Sequence, residues 1–311
     1  MIAPGQLPSL RKKNLLHIEN VYQQYGTRVV LDNIDLSVAK GELCTVVGPS
    51  GCGKSTLLRI VVGQEAASAG VAYIEGTPVG HPDATRGIVY QKYSLFPHLT
   101  VLDNVLLGKV LESSIFGRLR ARREHRDEAM RMLERARIGE HWKKYPHELS
   151  GGMQQRVAIA QALIMKPRIV LMDEPFGALD PMVREDMQVL LLELWEEYGM
   201  TVFFVTHDLE EAVYLGTRVI VLSQYYSDDR GVEAAQQRGA KIVADRALPR
   251  RAFSTGIKTS PEFTDIVAEV RSAGFDPKGL RHVTQFNLTH PDSFQTLTEE
   301  ESSALRAQKR P

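Results

Sequence analysis

The feature that most constrains this chain is a glycine-rich stretch that lies between an apolar run and a helical pattern. Residues 48–56 read Gly-Pro-Ser-Gly-Cys-Gly-Lys-Ser-Thr, which fits the pattern G-x-x-x-x-G-K-[ST]. The continuous apolar run Leu43–Val47 is typical of a strand that is covered on both faces, and residues 57–62 carry leucines and valines at helical spacing. A strand, a glycine loop and a helix in this order predict a phosphate-binding loop in an α/β protein.

The residue types in this loop suit phosphate chemistry. Glycines let the backbone curl so that successive N–H groups point at phosphate oxygens. Lys54 supplies a positive charge for the β and γ phosphates, Ser55 offers a hydroxyl to Mg²⁺, and the following helix adds its positive end. The residues of the loop predicted to bind nucleotide are Gly48, Pro49, Ser50, Gly51, Cys52, Gly53, Lys54, Ser55 and Thr56.

A second pattern places two acids directly after an apolar run. The run Ile169–Met172 ends at Asp173 and Glu174. Asp173 would help to hold Mg²⁺, and Glu174 could polarise an attacking water as a general base. Two adjacent acids at a strand end can also be a helix cap and a surface charge. The phosphate-binding loop upstream favours the catalytic interpretation.

A third pattern is a serine and two glycines at the start of a helix. Ser150, Gly151 and Gly152 precede a helical pattern, and a helix start of this kind can bind an anion. The alternative is a simple capped helix, because serine is a good N-cap. Two phosphate cradles in one chain suggest that the second serves the nucleotide of a partner subunit.

Short apolar runs and helical patterns alternate along the chain. Thr201–Val205 and Val219–Leu222 read as further strands, and the alternation within 34–38 predicts a half-buried strand. A helix is expected to begin after Asp180 as its N-cap and to stop at Gly199. Strands that alternate with helices predict a mostly parallel sheet with helices on both sides.

The domain organisation follows from changes in pattern. Residues 1–13 read as a flexible arm, and residues 92–165 read as a mostly helical insertion within a domain that spans 14–226. Beyond residue 226 the apolar periodicity fades, so 227–311 is an extension of uncertain structure. One helix is expected within it, over Glu262–Ser272.

Composition narrows the function class. The chain has 38 basic and 38 acidic residues, and this balance argues against nucleic acid as a partner. Cys44 and Cys52 lie too close together in the chain for a disulfide between them to stabilise the fold. We therefore expect no disulfide and a reducing compartment. No signal peptide is expected, and no apolar stretch approaches the roughly 20 residues that a bilayer requires. We therefore expect a soluble chain that another polypeptide anchors if it acts at a membrane.

In their order and spacing, these motifs resemble the ATP-binding subunit of ABC transporters over roughly residues 14–225. The matching positions are Walker A at 48–56, the Leu-Ser-Gly-Gly signature at 149–152, Walker B at 169–174, the D-loop residue Asp180, the Q-loop residue Gln91, the switch histidine His207 and the adenine-stacking aromatic Tyr25. One departure from the family lies next to the signature, where this chain has Met153 and glutamine is common.

The resemblance implies a fold and a mechanism. The fold is a RecA-like P-loop NTPase, a mostly parallel sheet core with an antiparallel β subdomain and an inserted helical subdomain. The reaction is Mg²⁺-dependent ATP hydrolysis by two copies packed head to tail, each ATP lying between Walker A of one copy and the signature of the other. The implied catalytic residues are Glu174, His207 and Gln91; the implied metal ligands are Ser55, Gln91 and Asp173; and Tyr25, Ser150, Gly151, Gly152 and Asp180 join Walker A around the nucleotide.

The stretch from Gln91 to Val105 is similar to that of bacterial importers of the nitrate/sulfonate/taurine group, including relatives for urea-like nitrogen compounds. Polyamine importers share much of Leu95–Pro97. The resemblance implies an integral membrane permease as partner, a solute-binding protein acting indirectly, and a location on the inner face of a bacterial plasma membrane. The segment 112–126 is longer and more basic than the corresponding segment usually is in this family. We favour a helix face exposed to solvent as its interpretation, and contact with lipid headgroups or with the partner is the alternative.

Three other function classes fit the motifs less well. A P-loop kinase or GTPase would lack the signature and the switch histidine. ABC ATPases of DNA repair or translation carry a coiled-coil insertion or two tandem cassettes, and neither pattern occurs here. A binder that keeps ATP without hydrolysing it would require the loss of Glu174 or His207, and both are present.

Overall fold

The computed structural model describes residues 14–112, 122–230, 238–249 and 255–297. The chain divides into two compact units. The first unit comprises the residues up to His81 and those from Phe204 onward, and the second unit comprises Pro82–Phe203. The arm predicted at 1–13, and residues 113–121 of the basic segment, lie outside the described residues.

An antiparallel sheet forms one part of the first unit. Its strands are β1 (Leu16–Tyr25), β2 (Arg28–Val38), β4 (Ala69–Ile74) and β5 (Thr77–Pro78), in the order β2-β1-β4-β5. Each neighbouring pair runs antiparallel. The sheet confirms the expectation of an antiparallel β portion.

A second group of strands in the first unit is mixed. Strand β3 (Leu43–Val47) runs parallel to β9 (Arg218–Ser223), and β9 pairs antiparallel with β11 (Lys241–Ala247). On its other edge, β11 pairs in parallel with the short strand β13 (Asn287–Leu288). The remaining elements of this unit are α1 (Lys54–Val62), α6 (Leu209–Leu215), α7 (Pro261–Gly274), the short parallel pair β10 (Tyr226–Ser227) and β12 (Arg281–His282), and 3-10 turns at Thr255–Thr259 and Val283–Gln285.

The second unit joins a parallel strand pair to a set of helices. Strand β6 (Arg86–Tyr90) runs parallel to β7 (Ile169–Asp173), and β8 (Thr201–Val205) begins in this unit. Within 92–165 the described regular elements are α-helices and 3-10 turns, and irregular segments join them. The helices of this unit are α2 (Val101–Glu112), α3 (Arg126–Arg135), α4 (Gly151–Leu163) and α5 (Pro181–Tyr198), with 3-10 turns at Gly139–His141 and Pro146–Glu148.

Two predicted helices form where the capping residues stand. The carboxylate of Asp180 accepts the backbone N–H of Val183 at 3.1 Å, and α5 ends at Gly199 with a left-handed φ of 58°. The helix predicted over 262–272 is α7, one residue longer at its start and two at its end. Its N-cap is Ser260, whose hydroxyl accepts the N–H of Phe263 at 3.3 Å.

The prediction of a half-buried strand at 34–38 is wrong, because both faces of this part of β2 are covered. Asp35 is 6% exposed and Ser37 is 0% exposed. The carboxylate of Asp35 accepts backbone N–H groups from Asn20 at 2.8 Å and Thr296 at 2.6 Å, and the Ser37 hydroxyl lies 2.7 Å from Nδ1 of His17. Polar residues on the second face are thus buried with hydrogen-bond partners, which the alternating pattern cannot reveal.

The fading periodicity beyond residue 226 concealed a strand. Strand β11 places the apolar pair Ile242 and Val243 in the core of the first unit, although charged residues surround them in the chain. The limits predicted for the domains stay predictions. The predicted α/β class with a mostly parallel core agrees with the parallel pairs of both units.

Two further expectations concern the bulk character of the chain. Cys44 and Cys52 are both buried thiols outside any disulfide, as expected. Among the residues that the structure describes, no helix combines the length and apolar character needed to cross a bilayer.

Candidate functional site

The predicted phosphate loop, residues 48–56, connects β3 to α1 in the first unit. Strand β3 ends at Val47 and α1 begins at Lys54. Gly51 and Gly53 have left-handed φ values of 76° and 100°, and Gly53 is the N-cap of α1. The loop therefore curls directly into the N-terminus of a helix, a position where backbone N–H groups can bind an anion.

Two glycines of the loop are required by close packing. A Cβ on Gly48 would lie 2.1 Å from the carbonyl oxygen of Leu222 in the neighbouring strand β9. A Cβ on Gly53 would lie 2.8 Å from Cδ2 of Leu31, at a φ that side chains rarely adopt. The conformation of the phosphate loop is thus tied to the sheet strands that surround it.

Lys54 turns its ammonium group back over the loop. Its Nζ donates hydrogen bonds to the carbonyl oxygens of Gly48 at 2.7 Å and Pro49 at 3.1 Å, and the residue is 6% exposed. A lysine ammonium carries three N–H donors, so these two carbonyls leave a donor for a phosphate oxygen. The charge is held where phosphates of a bound nucleotide are expected.

The remaining residues of the phosphate loop differ in exposure. Ser50 is exposed, while Pro49 and Ser55 are half-buried and Thr56 is buried. Burial raises the pKa of the Cys52 thiol, which is 2% exposed, so this group stays protonated at neutral pH. Cys52 therefore packs as a small apolar residue rather than acting as a nucleophile.

His207 lies on a turn that is fixed to the strand entering the phosphate loop. The backbone N–H of Thr206 donates to the carbonyl oxygen of Val46 at 3.1 Å, and the Thr206 hydroxyl donates to Glu211 at 2.6 Å. The carboxylate of Asp208 accepts the N–H groups of residues 210 and 211 and so caps α6. The exposed His207 is held between these two anchored residues, close to the end of β3.

Tyr25 stands at the end of β1, beside a turn that contains Gly26. Its side chain is 44% exposed. Its hydroxyl donates to the carboxylate of Glu65, and Nη2 of Arg59 donates to the hydroxyl at 3.3 Å. Arg59 belongs to α1, the helix that the phosphate loop opens. The predicted stacking residue is therefore tied to the phosphate-binding helix.

In the second unit, the register of β6 and β7 brings Gln91 and the two acids together. Tyr90 pairs with Asp173, so Gln91 and Glu174 leave adjacent strands at the same edge. A Cβ on Gly177 would lie 3.2 Å from Nε2 of Gln91, which places this amide against the turn after Glu174. Glu174 itself has a φ of 47°, a left-handed conformation that is uncommon for residues other than glycine.

The signature residues open α4 in the same unit. The Ser150 hydroxyl accepts the N–H of Met153 at 3.4 Å, so the capping role holds for this residue. A Cβ on Gly151 would lie 2.7 Å from the hydroxyl of Tyr93, and a Cβ on Gly152 would lie 2.4 Å from Cγ1 of Val183. The glycines are thus packed against the segment after Gln91 and the helix that Asp180 caps.

Sequence reasoning missed several residues that organise these segments. Asn104 is fully buried in α2; its amide nitrogen donates to three carbonyls of residues 96–100, and its oxygen accepts the N–H of Phe96 at 2.7 Å. A polar residue at an apolar helix position was the available signal. Arg59 and Glu65 gave no signal in the sequence, because their partner Tyr25 lies far away in the chain.

The donor atoms available for a metal are oxygens. Among the described residues, no group of three or more histidine, cysteine, aspartate or glutamate side chains could hold a metal ion. The predicted ligands are the Ser55 hydroxyl in the first unit and, in the second unit, the Asp173 carboxylate and the Gln91 amide oxygen. Mg²⁺ normally takes one or two oxygen ligands of this hard type and completes its shell with substrate phosphates and water, so the chemistry of each predicted ligand suits the ion.

The chain is similar to known proteins along most of its length. Residues 31–177 match the family described as ABC transporter. The taurine import ATP-binding protein TauB of Rhizobium johnstonii is 40% identical over 265 residues, which cover 83% of this chain and 94% of the relative. The aliphatic sulfonates import ATP-binding protein SsuB of Bacillus anthracis is 43% identical over 202 residues, which cover 65% of this chain and 77% of the relative.

Solved structures show the same fold. The bacterial ABC transporter cassette MJ0796, in its dimeric structure, superposes with a TM-score of 0.61 at 32% identity. The match covers 76% of this chain and all of that one, 100%. The predicted P-loop fold class is confirmed by this similarity together with the parallel strand pairs.

Proposed function

We propose that this chain, which belongs to the ABC transporter ATP-binding family and is a transport ATPase of an importer, powers the uptake of a small organic sulfonate. The family and the ATPase activity follow from the relatives described above. The sulfonate is supported by the import proteins TauB and SsuB, whose names specify taurine and aliphatic sulfonates. Nitrate and urea-like nitrogen compounds are the competing solutes.

The geometry of the phosphate loop is the main support for ATP binding and hydrolysis. Lys54 lies with its ammonium on the carbonyls of Gly48 and Pro49, at the N-terminus of α1. This arrangement offers one cation and a series of backbone N–H groups to a polyphosphate. In such a loop the lysine contacts the β and γ phosphates, so we expect a nucleoside triphosphate with its γ phosphate near Lys54.

Each remaining site residue has a proposed role at the bound ATP. Mg²⁺ would be held by Ser55, Asp173 and Gln91 together with the phosphates, and it would neutralise developing charge. Glu174 accepts the proton of the attacking water as the bond to the γ phosphorus forms and the bond to the β–γ bridging oxygen breaks, which releases ADP and phosphate. His207 contacts the γ phosphate, and Tyr25 stacks on the adenine ring.

A second copy of the chain completes the site. The signature residues 150–152 and Asp180 of one copy would contact the nucleotide that Walker A of the other copy holds. The N-terminus of α4 supports this role, because backbone N–H groups at the start of a helix can bind an anion. ATP then closes the dimer, and hydrolysis reopens it.

We propose two kinds of further partner. The dimer binds an integral permease on the inner face of the plasma membrane, and an extracytoplasmic solute-binding protein delivers the sulfonate to that permease. The importer relatives and the transport ATPase activity support this assembly.

The test is solute uptake in the source organism after deletion of the gene. Uptake of labelled taurine, an alkanesulfonate, nitrate and urea is measured in parallel. We expect loss of sulfonate uptake, restored by the wild-type gene and not by a Lys54→Ala copy. Loss of nitrate or urea uptake alone would reassign the solute, and unchanged uptake of all four would contradict the proposal.

A further inference from the structure

The chain after α1 folds back so that two charged residues of the first unit meet. Helix α1 ends at Gly63, which has a left-handed φ of 83°. The backbone N–H groups of Gln64 and Glu65 both reach the carbonyl oxygen of Arg59, at 2.9 and 3.3 Å. The Glu65 carboxylate therefore returns alongside the guanidinium, with Nε of Arg59 at 3.0 Å.

These two residues hold the phenol of Tyr25 from both sides. The Tyr25 hydroxyl donates to Oε1 of Glu65 and accepts from Nη2 of Arg59 at 3.3 Å. The same Nη2 donates to the Thr56 hydroxyl at 3.1 Å. A continuous hydrogen-bond path thus runs from the aromatic ring to the last residue of the phosphate loop.

A third residue ties the strand end to the same carboxylate. Gln23, two residues before Tyr25, is 5% exposed. Its Nε2 donates to Oε1 of Glu65 at 2.7 Å, and its Oε1 accepts the backbone N–H of Ser68 at 2.9 Å. Burial opposes ionisation of Glu65, but the hydrogen bonds from Tyr25 and Arg59 outweigh it and lower the pKa of this carboxyl.

The arrangement restrains a side chain that would otherwise rotate. Tyr25 lies at a strand end beside a turn, and almost half of its surface is exposed. Its hydroxyl is fixed while its ring keeps an exposed surface. Ordering a side chain only when a ligand arrives lowers affinity by about three- to tenfold, and a ring that is already ordered avoids this loss.

We propose that Glu65 and Arg59 are positioning residues for the base of the nucleotide, because they hold the Tyr25 ring in the orientation that stacks on adenine. The proposal rests on the proposed function, since it takes Tyr25 as the stacking residue. Neither residue needs to touch the nucleotide. Glu65 is the residue to test, because Arg59 also bonds Thr56 of the phosphate loop.

The experiment compares two ligands that share phosphates and differ in the base. Binding of ATP and of inorganic tripolyphosphate to the full chain is measured by calorimetry. We expect Glu65→Ala to raise the Kd for ATP about three- to tenfold and to leave the Kd for tripolyphosphate unchanged. Glu65→Gln keeps an acceptor for the Tyr25 hydroxyl and recovers most of the ATP affinity. Asp265→Ala, an exposed carboxylate on α7, is the matched control.

Tyr25→Phe supplies the second arm, because it keeps the ring and removes only the hydroxyl. We expect a loss of ATP affinity similar to that of Glu65→Ala, and we expect the double variant to lose no more than Glu65→Ala alone, since both changes break the hydrogen bond between Tyr25 and Glu65. Equal weakening of ATP and tripolyphosphate would show that Glu65 only supports the loop, and unchanged ATP binding would also overturn the proposal.

A further variant separates this inference from the proposed function. Tyr25→Ala removes the ring itself. If it weakens ATP binding while Glu65→Ala does not, the positioning role is wrong and the stacking role survives. If Tyr25→Ala leaves ATP binding unchanged, the stacking assignment fails, and the positioning role fails with it.

Discussion

The ammonium nitrogen of Lys54 lies 2.7 Å from the carbonyl oxygen of Gly48, which is the first residue of the loop that Lys54 closes. This bond spans the whole glycine segment and places the positive charge above its backbone. It also explains why the residue is almost fully buried although lysine is among the residues least often found inside. The loop is organised around this cation by its own carbonyls.

Replacing this cation should therefore reduce nucleotide binding and hydrolysis together. We expect Lys54→Ala to weaken ATP binding by about 10-fold or more, since a charge-assisted hydrogen bond contributes about 1.5–3 kcal/mol. Calorimetry with ATP and release of phosphate are the measurements. Lys40→Ala, an exposed lysine of the same unit, should behave as wild type. Unchanged ATP affinity in Lys54→Ala would contradict the role of the loop.

Removing the proposed general base should separate binding from chemistry. Glu174→Gln keeps the shape of the side chain, so ATP should still bind, while the rate of hydrolysis should fall by about 100-fold or more. The trapped nucleotide should keep two copies together. Size-exclusion chromatography with ATP would show the dimer, and Glu196→Gln on α5 serves as the control. Normal turnover would exclude Glu174 as the base.

Sharing of the site between two copies can be tested by mixing. Ser150→Arg should leave ATP binding to the single chain intact and block hydrolysis, because the bulky cation stands at the start of α4. When the Ser150→Arg chain is mixed with a separate Lys54→Ala chain, the two should form mixed dimers. One of the two sites in such a dimer has an intact Walker A and an intact signature. The ATPase rate of the mixture should then exceed the sum of the two variants. A rate that stays at the sum would argue against a shared site.

The buried ion pair between Arg218 and Asp245 should contribute strongly to stability. Arg218 is fully buried and donates from Nε and Nη2 to the two carboxylate oxygens of Asp245, at 2.7 and 2.6 Å. Asp245→Ala leaves a buried guanidinium without this partner, so we expect a loss of about 3–5 kcal/mol in the free energy of unfolding. Urea denaturation measures it.

The double variant Arg218→Met/Asp245→Leu replaces both charges by apolar groups and should recover much of that loss. Asp265→Ala is again the matched control. If Asp245→Ala proved as stable as wild type, β11 would not be part of the cooperative unit that contains β9.

The buried thiols should be poor nucleophiles in the folded chain. Burial raises the pKa of Cys52, so the thiol form persists to higher pH than in the unfolded chain, and its thiolate appears only as the pH rises through the higher folded value. We expect alkylation by iodoacetamide at pH 8 to be about 10-fold or more slower in the folded chain than in urea. Mass spectrometry of the labelled peptides measures it. Equal rates would mean that the loop opens freely.

Much of the local geometry of the candidate site could be predicted from the sequence, because a phosphate-binding loop and a helix cap both depend on contiguous backbone. The phosphate loop, the capping residue Asp180 and the helix start at Ser150 are local arrangements, in which each hydrogen bond joins residues a few positions apart. Strand β3 was also predictable, since a continuous apolar run identifies a strand that is covered on both faces.

The pairings between distant segments were decided only by the tertiary structure. Gln91 lies beside the turn after Glu174 because β6 and β7 pair with Tyr90 opposite Asp173, and no pattern along the chain encodes that register. Glu65 meets Tyr25 across 40 residues for a similar reason. Local patterns specify which elements form, whereas contacts between side chains depend on how strands align and helices return, which only the packed chain determines.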